Sequence, residues 1–203
     1  MISKIGRQLL AGPVTAIIVH LQGTGITPNN LTSLGFFLTA ISAALLLVGQ
    51  LRWGGLVLII AALFDMLDGS LARQTNQVSS FGAFWDSTLD RYSESLTLLA
   101  LVYHYVTVMG AAQGQRGGTE IVLLAVTLIG SFMVSYTRAR AEALNFECKA
   151  GILQRPERVI LLIVGLLFGW MQPVLWILAI FTNVTAIQRM VEVYTQAQAR
   201  ATQ

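Results

Sequence analysis

Charge is what this sequence has least of. Of its 203 residues 11% are Asp, Glu, Lys or Arg, while 55% are hydrophobic and the mean hydropathy is +0.66. Soluble domains carry about a quarter charged residues, so a soluble globular chain is excluded. The alternation of apolar and polar residues that a membrane β-barrel needs is also missing, because the apolar stretches are continuous. Helices are then the way to satisfy the backbone in lipid. A single cysteine, Cys148, excludes an intramolecular disulfide and a zinc pattern, and reads as a small apolar filler. No internal repeat, low-complexity tract or break in composition divides the chain, so residues 1–203 read as one membrane domain. The start lacks a secretory signal: Lys4 and Arg7 precede a pattern broken by Gly12, Pro13 and His20, without a small-residue cleavage site. Residues 1–25 are expected as an amphipathic juxtamembrane helix lying in the interface. Neither His20 nor His104 has a ligand partner at helical spacing, and both read as structural. The formal charge of +3 is small, and no nucleic-acid partner is expected.

What is there is a series of nearly charge-free runs. They fall at Leu31–Gly49, from Trp53 to the first carboxylates, Phe84–Met109, Glu120–Tyr136, Val159–Trp170 and Pro173–Ile187. The fold class expected is therefore all-α and integral to the membrane: six transmembrane helices over 26–190 after the juxtamembrane helix, then a fraying tail over 191–203. The second, third and fifth runs have uncharged cores shorter than the ~20 residues a bilayer requires. They reach full length only with their polar ends in the interface or in a water-filled cavity. Six spans put both termini on one side. That side carries eleven of the thirteen basic residues, and the other has only Arg52 and Arg116. By the positive-inside rule both termini are cytoplasmic, in a multi-pass protein of the inner membrane.

The densest information lies between Asp65 and Asp90. The pattern is D-x2-D-G-x2-A-R-x8-G-x3-D-x3-D, with Asp65, Asp68, Gly69, Ala72, Arg73, Gly82, Asp86 and Asp90 at its fixed positions. Carboxylates in or near hydrocarbon are costly and point to function. Asp65 and Asp68 share one helix face, and Asp86 and Asp90 share one on the next helix. Two such helices side by side would aim four hard oxygen ligands at one pocket, suited to one or two Mg²⁺-like ions together with substrate phosphates. The inside-positive orientation opens that pocket to the cytosol.

Those eight positions resemble the signature of the CDP-alcohol phosphotransferase family. The resemblance implies six transmembrane helices, a juxtamembrane helix and a homodimer. It also implies a metal-dependent enzyme that transfers a phosphatidyl group from CDP-diacylglycerol to an alcohol and releases CMP. Asp65, Asp68, Asp86 and Asp90 would hold two Mg²⁺ (or Mn²⁺) ions, and Asp90 would also act as general base toward the acceptor hydroxyl. Gly69 and Gly82 would let the nucleotide approach the backbone, with Ala72 between them and Arg73 meeting phosphate or a neighbouring carboxylate. Asn29 and Thr32, in Thr27-Pro28-Asn29-Asn30-Leu31-Thr32, would reach the cytidine or its phosphates. The same segment equally suits an ordinary helix N-cap followed by proline.

A second charged stretch, SYTRARAEALNFECKAGILQRPERVIL, bears on the acceptor. Its plain reading is topogenic, since basic loops anchor near anionic lipid. A phosphorylated acceptor, however, needs fixed cations, and guanidinium forks suit phosphate. Y-x-R-A-R-A-E-A followed by R-P-E-R resembles the phosphatidylinositol phosphate synthase branch. That likeness puts the phosphate of inositol 1-phosphate on Arg138, Arg158 and Arg189, with Arg155 alongside. Arg138 departs from the lysine common at its position. Glu142 and Glu157 are expected to orient the arginines. Glycerol 3-phosphate is the alternative acceptor within the same chemistry, as in phosphatidylglycerophosphate synthase. A small cation-coupled transporter is the alternative from another class; it would have no reason to bind CDP or CMP.

Overall fold

Several helices in this chain end on a residue in left-handed backbone. The computed structural model describes residues 25–109 and 117–201, together with Ile18, and all regular structure among them is helical. Helix α1 spans Pro28–Leu47, α2 Leu51–Gln74, α3 Ser80–His104, α4 Gly118–Ala143, α5 Arg155–Phe168 and α6 Met171–Ala201. After α3 one π-helical stretch, Tyr105–Met109, follows. At the end of α1, Gly49 takes φ 79°, its N–H bonds Leu46 O at 3.0 Å, and the next N–H reaches Leu45 O at 2.9 Å. That is the Schellman pattern. Asn76 (φ 54°) ends α2 and Asn145 (φ 60°) ends α4 in the same way, the latter with Phe146 N–H on Ala141 O at 2.9 Å. Both asparagines substitute for the glycine usual at such a position.

The described residues form two compact units. The first contains those up to His104 together with Leu166–Phe168. In it α1 packs against both α2 and α3. The buried face of α1 carries Leu31, Gly35, Thr39, Ser42 and Leu46. Small residues let the backbones come close: Ser42 Oγ donates to Gly54 O at 2.8 Å, and a Cβ on Gly54 would stand 2.6 Å from Leu46 Cδ2. This is how helices associate where the solvent is as apolar as their side chains.

The second unit contains Tyr105–Gly165 and the described residues from Gly169 onward. Its main packing is α4 on α6. Gly130 is the closest approach, where any Cβ would collide with Thr182 and lie 2.8 Å from Asn183 Nδ2. Asn183 ties the pair by donating to Val126 O at 3.3 Å and to Ala179 O at 2.8 Å.

Among the described residues, α1, α2, α4 and α6 are long and apolar enough to cross a membrane. The shorter α5 has 14 residues and closes on Gly169 at φ 71°, ahead of the expected end at Trp170. The expected juxtamembrane helix lies almost wholly outside the described residues. One expectation is overturned: the stretch after Arg189 does not fray but continues as helix to Ala201, because its polar side chains are bonded to a neighbouring loop. Gly130→Leu should wedge α4 from α6 and lower stability by about 1–3 kcal/mol, the usual range for overpacking. Thermal unfolding in detergent reads this as a fall in midpoint, with Gly55 or other α2 positions left untouched as the control.

Candidate active site

The motif's first two aspartates stand on α2 and its last two on α3, as the spacing predicts. Asp68 is 5% exposed. A carboxylate this deeply buried requires donors, and two are present. Gly69 N–H bonds Oδ1, while Thr32 Oγ1 of α1 lies 2.6 Å from Oδ2 and 3.1 Å from Pro28 O. A hydroxyl has one proton, and the shorter contact to the charged acceptor takes it. Asp65 and Asp86 both lie within Coulombic reach of Asp68. Asp90 is 3.5 Å from Arg91, whose guanidinium also donates to Ser87 O.

Helix α1 supplies the other wall. A Cβ on Gly35 would stand 3.0 Å from Asp65 Oδ1, so the absence of a side chain there admits the carboxylate. A Cβ on Gly82 would meet Asn29 Oδ1 at 3.1 Å and Ser79 Oγ at 3.0 Å. Asn29 and Gly82, widely separated in sequence, are therefore neighbours. Trp85 Nε1 donates to Ser33 Oγ at 3.1 Å, fastening α3 to α1, and its ring stacks on Phe81 of its own helix. Arg73 folds back over Gly69, its Nη1 at 3.4 Å from the Cβ position, and donates to Ser70 Oγ at 3.3 Å. Ala72 is partly buried and gives its carbonyl to Gln77 N–H in the cap of α2. Thr27 caps α1 by accepting from Asn30 N–H at 3.3 Å with Pro28 in the first turn. The segment is thus an N-cap, and Thr32's bond goes to a carboxylate. Gly35 and Ser33 were not anticipated, since neither a glycine nor a serine inside an apolar helix is distinctive.

Among the described residues no three His, Cys, Asp or Glu side chains stand together as a metal-ligating group. The donor chemistry nevertheless fits a divalent cation. Asp65 and Asp86 repel Asp68, which is buried, and hard oxygen ligands with mutual repulsion are what Mg²⁺ or Mn²⁺ relieves.

The arginines of the second charged stretch and Arg189 lie in the second unit. Arg158 is 2% exposed and donates to Leu153 O at 3.3 Å. Arg189 is 4% exposed and donates from Nε to Ala150 O at 2.9 Å and from Nη1 to Val134 O. Arg138 and Arg158 both stand within Coulombic reach of Arg189. Charges meant only to hold a loop at a membrane surface remain in water, whereas two of these three are buried. Arg138 is exposed and paired with Glu142 at 2.8 Å, as expected of a carboxylate that orients it. A cavity of about 320 Å³ is lined by Arg138, Glu142 and residues 145–149. Arg155 is half-buried at the start of α5. Cys148 lies in the same loop, buried, and burial first of all pushes its thiol pKa up; it is the inert filler expected.

Thr32→Val keeps the shape of the side chain and removes the proton held by Asp68. Charge-assisted hydrogen bonds contribute about 1.5–3 kcal/mol, so Mn²⁺ affinity, titrated by electron paramagnetic resonance, should fall roughly tenfold or more. Thr32→Ser should stay near the parent value. Loss in Thr32→Ser with Thr32→Val at the parent value would show that the methyl, not the hydroxyl, matters.

Similarity to known proteins agrees with this geometry. Residues 25–188 match the CDP-alcohol phosphatidyltransferase family. The chain is 38% identical over 193 residues to an archaetidylinositol phosphate synthase of Pyrococcus horikoshii, covering 95% of this chain and 96% of that one. It is 32% identical over 203 residues to a phosphatidylinositol phosphate synthase of Mycobacteroides abscessus, covering 96% and 90%. Among solved structures, Mycobacterium tuberculosis phosphatidylinositol phosphate synthase with CDP-DAG bound superposes with a TM-score of 0.79 at 31% identity, over 90% of this chain and 94% of that one. The same enzyme has been solved with manganese and citrate at an equal TM-score of 0.79. With the full aspartate signature on two helices walled by a third, and with the family match running through both units, the chain is a membrane enzyme belonging to the CDP-alcohol phosphatidyltransferase family.

Proposed function

We propose that the protein transfers the phosphatidyl group of CDP-diacylglycerol to a hydroxyl of inositol 1-phosphate, giving phosphatidylinositol phosphate and CMP. The observation that carries the acceptor is the set of three guanidinium groups, Arg138, Arg158 and Arg189, two of them buried. Buried like charges close together are unfavourable, and a phosphate accepting from several forks is a suitable counter-ion. The relatives named above support the same acceptor: their names differ in the lipid, archaetidyl or phosphatidyl, and share inositol phosphate.

In this reading the acceptor hydroxyl oxygen attacks the phosphorus that carries the diacylglycerol. Its proton passes to Asp90, the bond to the CMP oxygen breaks, and CMP leaves with that electron pair. Asp90, with Arg91 beside it, serves as that base. Asn29 and the backbone at Gly82 and Gly69 receive the nucleotide, and Ala72 and Arg73 flank it. Mg²⁺ or Mn²⁺, held as two ions by Asp65, Asp68, Asp86 and Asp90, would supply positive charge against the pyrophosphate. Arg138, Arg158 and Arg189 hold the acceptor phosphate, with Arg155 at the margin. Positioning and electrostatics supply most of the acceleration in such transfers. The helices make six crossings of the inner membrane, a homodimer forms there, and the basic residues keep both termini and the site on the cytoplasmic side.

A reconstituted assay of CMP release with Mg²⁺ tests the proposal, comparing inositol 1-phosphate, glycerol 3-phosphate, inositol and serine, with CDP-diacylglycerol and its archaeol counterpart as donors. Release with inositol 1-phosphate alone is expected; release with glycerol 3-phosphate would keep the mechanism and replace the acceptor. Asp90→Asn should lower kcat ~100-fold or more, as loss of a general base does. Arg158→Ala should raise KM for inositol 1-phosphate while KM for the CDP-lipid stays constant, with detergent-phase elution confirming the fold.

A further inference from the structure

Helix α6 is longer than a membrane crossing requires. Its 31 residues extend about 46 Å at 1.5 Å per residue, against a hydrocarbon core of ~30 Å. The surplus is polar, and every fourth or third residue on one stripe bonds the connection between α4 and α5, residues 144–154. Thr185 Oγ1 accepts from Leu153 N–H at 3.1 Å. Arg189 Nε donates to Ala150 O at 2.9 Å, and Glu192 Oε2 accepts from Ala150 N–H at 2.9 Å. Gln196 closes a pair with one residue, accepting from Glu147 N–H at 3.1 Å and donating to Glu147 O at 2.6 Å. Arg200 donates to Asn145 O, and its guanidinium carbon lies 4.2 Å over the Phe146 ring.

The connection has no regular structure of its own, so its backbone groups need partners from elsewhere. The stripe on α6 supplies them in antiparallel order, from 185 with 153 to 200 with 145. The same connection carries the carbonyls that aim two arginines: Ala150 O on Arg189 and Leu153 O on Arg158. A carbonyl bonded to a guanidinium sets the direction in which its fork points. We propose that Glu192 and Gln196 are positioning residues: through the 145–153 connection they set the acceptor-binding arginines in place and so determine affinity for the phosphorylated acceptor. This rests on the acceptor reading given under Proposed function.

The experiment is steady-state kinetics on the reconstituted full chain with inositol 1-phosphate and CDP-diacylglycerol varied separately. The variants are Glu192→Ala, Glu192→Gln, Gln196→Ala and Arg189→Ala, with amide hydrogen exchange followed across 145–153. Glu192→Ala and Gln196→Ala should raise KM for the acceptor about five- to tenfold, the effect of one hydrogen bond. KM for the lipid and kcat should remain, and the amides of Glu147 and Ala150 should exchange faster. Glu192→Gln keeps an oxygen for Ala150 N–H and should behave as the parent. Unchanged acceptor KM in the Glu192 and Gln196 variants, with Arg189→Ala raising it, overturns the positioning role and leaves the acceptor site standing. Unchanged KM in all the variants, Arg189→Ala included, overturns both. Parallel loss for both substrates shows that the stripe only maintains the fold and also overturns the role.

Discussion

The bond from Thr32 to Asp68 is the constraint on which the carboxylate site depends. A carboxylate buried in an apolar helix bundle survives only with donors at hand, and Asp68 has a hydroxyl from α1 and a backbone N–H from its own helix. The bond fixes the rotation of α1 about its axis. Once Thr32 faces Asp68, the residue three positions on, Gly35, faces Asp65, and the face formed by Thr39, Ser42 and Leu46 meets the rest of α2. Asn29, one turn earlier, then reaches Gly82 on α3. Register along one helix thus brings residues from three elements to one place.

The same economy of polar atoms holds in the second unit, where the charges have the opposite sign. Arg158 and Arg189 are buried and donate to backbone carbonyls. The helix that carries Arg189 also bonds the loop that supplies Ala150 O. Small residues make this possible: Gly130 brings α4 against α6, and Gly151, at φ 142°, takes a conformation that side chains rarely adopt, where a Cβ would also meet Thr185 at 2.6 Å.

The sequence by itself determined the helical membrane class, the separation of aspartates onto two helices, and the family, because these depend on composition and on short fixed spacings. It placed all four aspartates on the helices where they stand, and it named Asn29, Gly82, Arg158 and Arg189. Tertiary structure decided what those residues touch. Thr32 is bonded to Asp68, a partner its place in the sequence does not reveal; Gly35 looked like any glycine in an apolar helix and is where Asp65 comes close. The stretch after Arg189 looked like a fraying tail because it is polar and short of apolar contacts. It is helical because Glu192, Gln196 and Arg200 find partners some fifty positions away in sequence. Pattern within a few turns is written in local spacing, whereas a hydrogen bond across such a distance exists only once packing has brought its two atoms together.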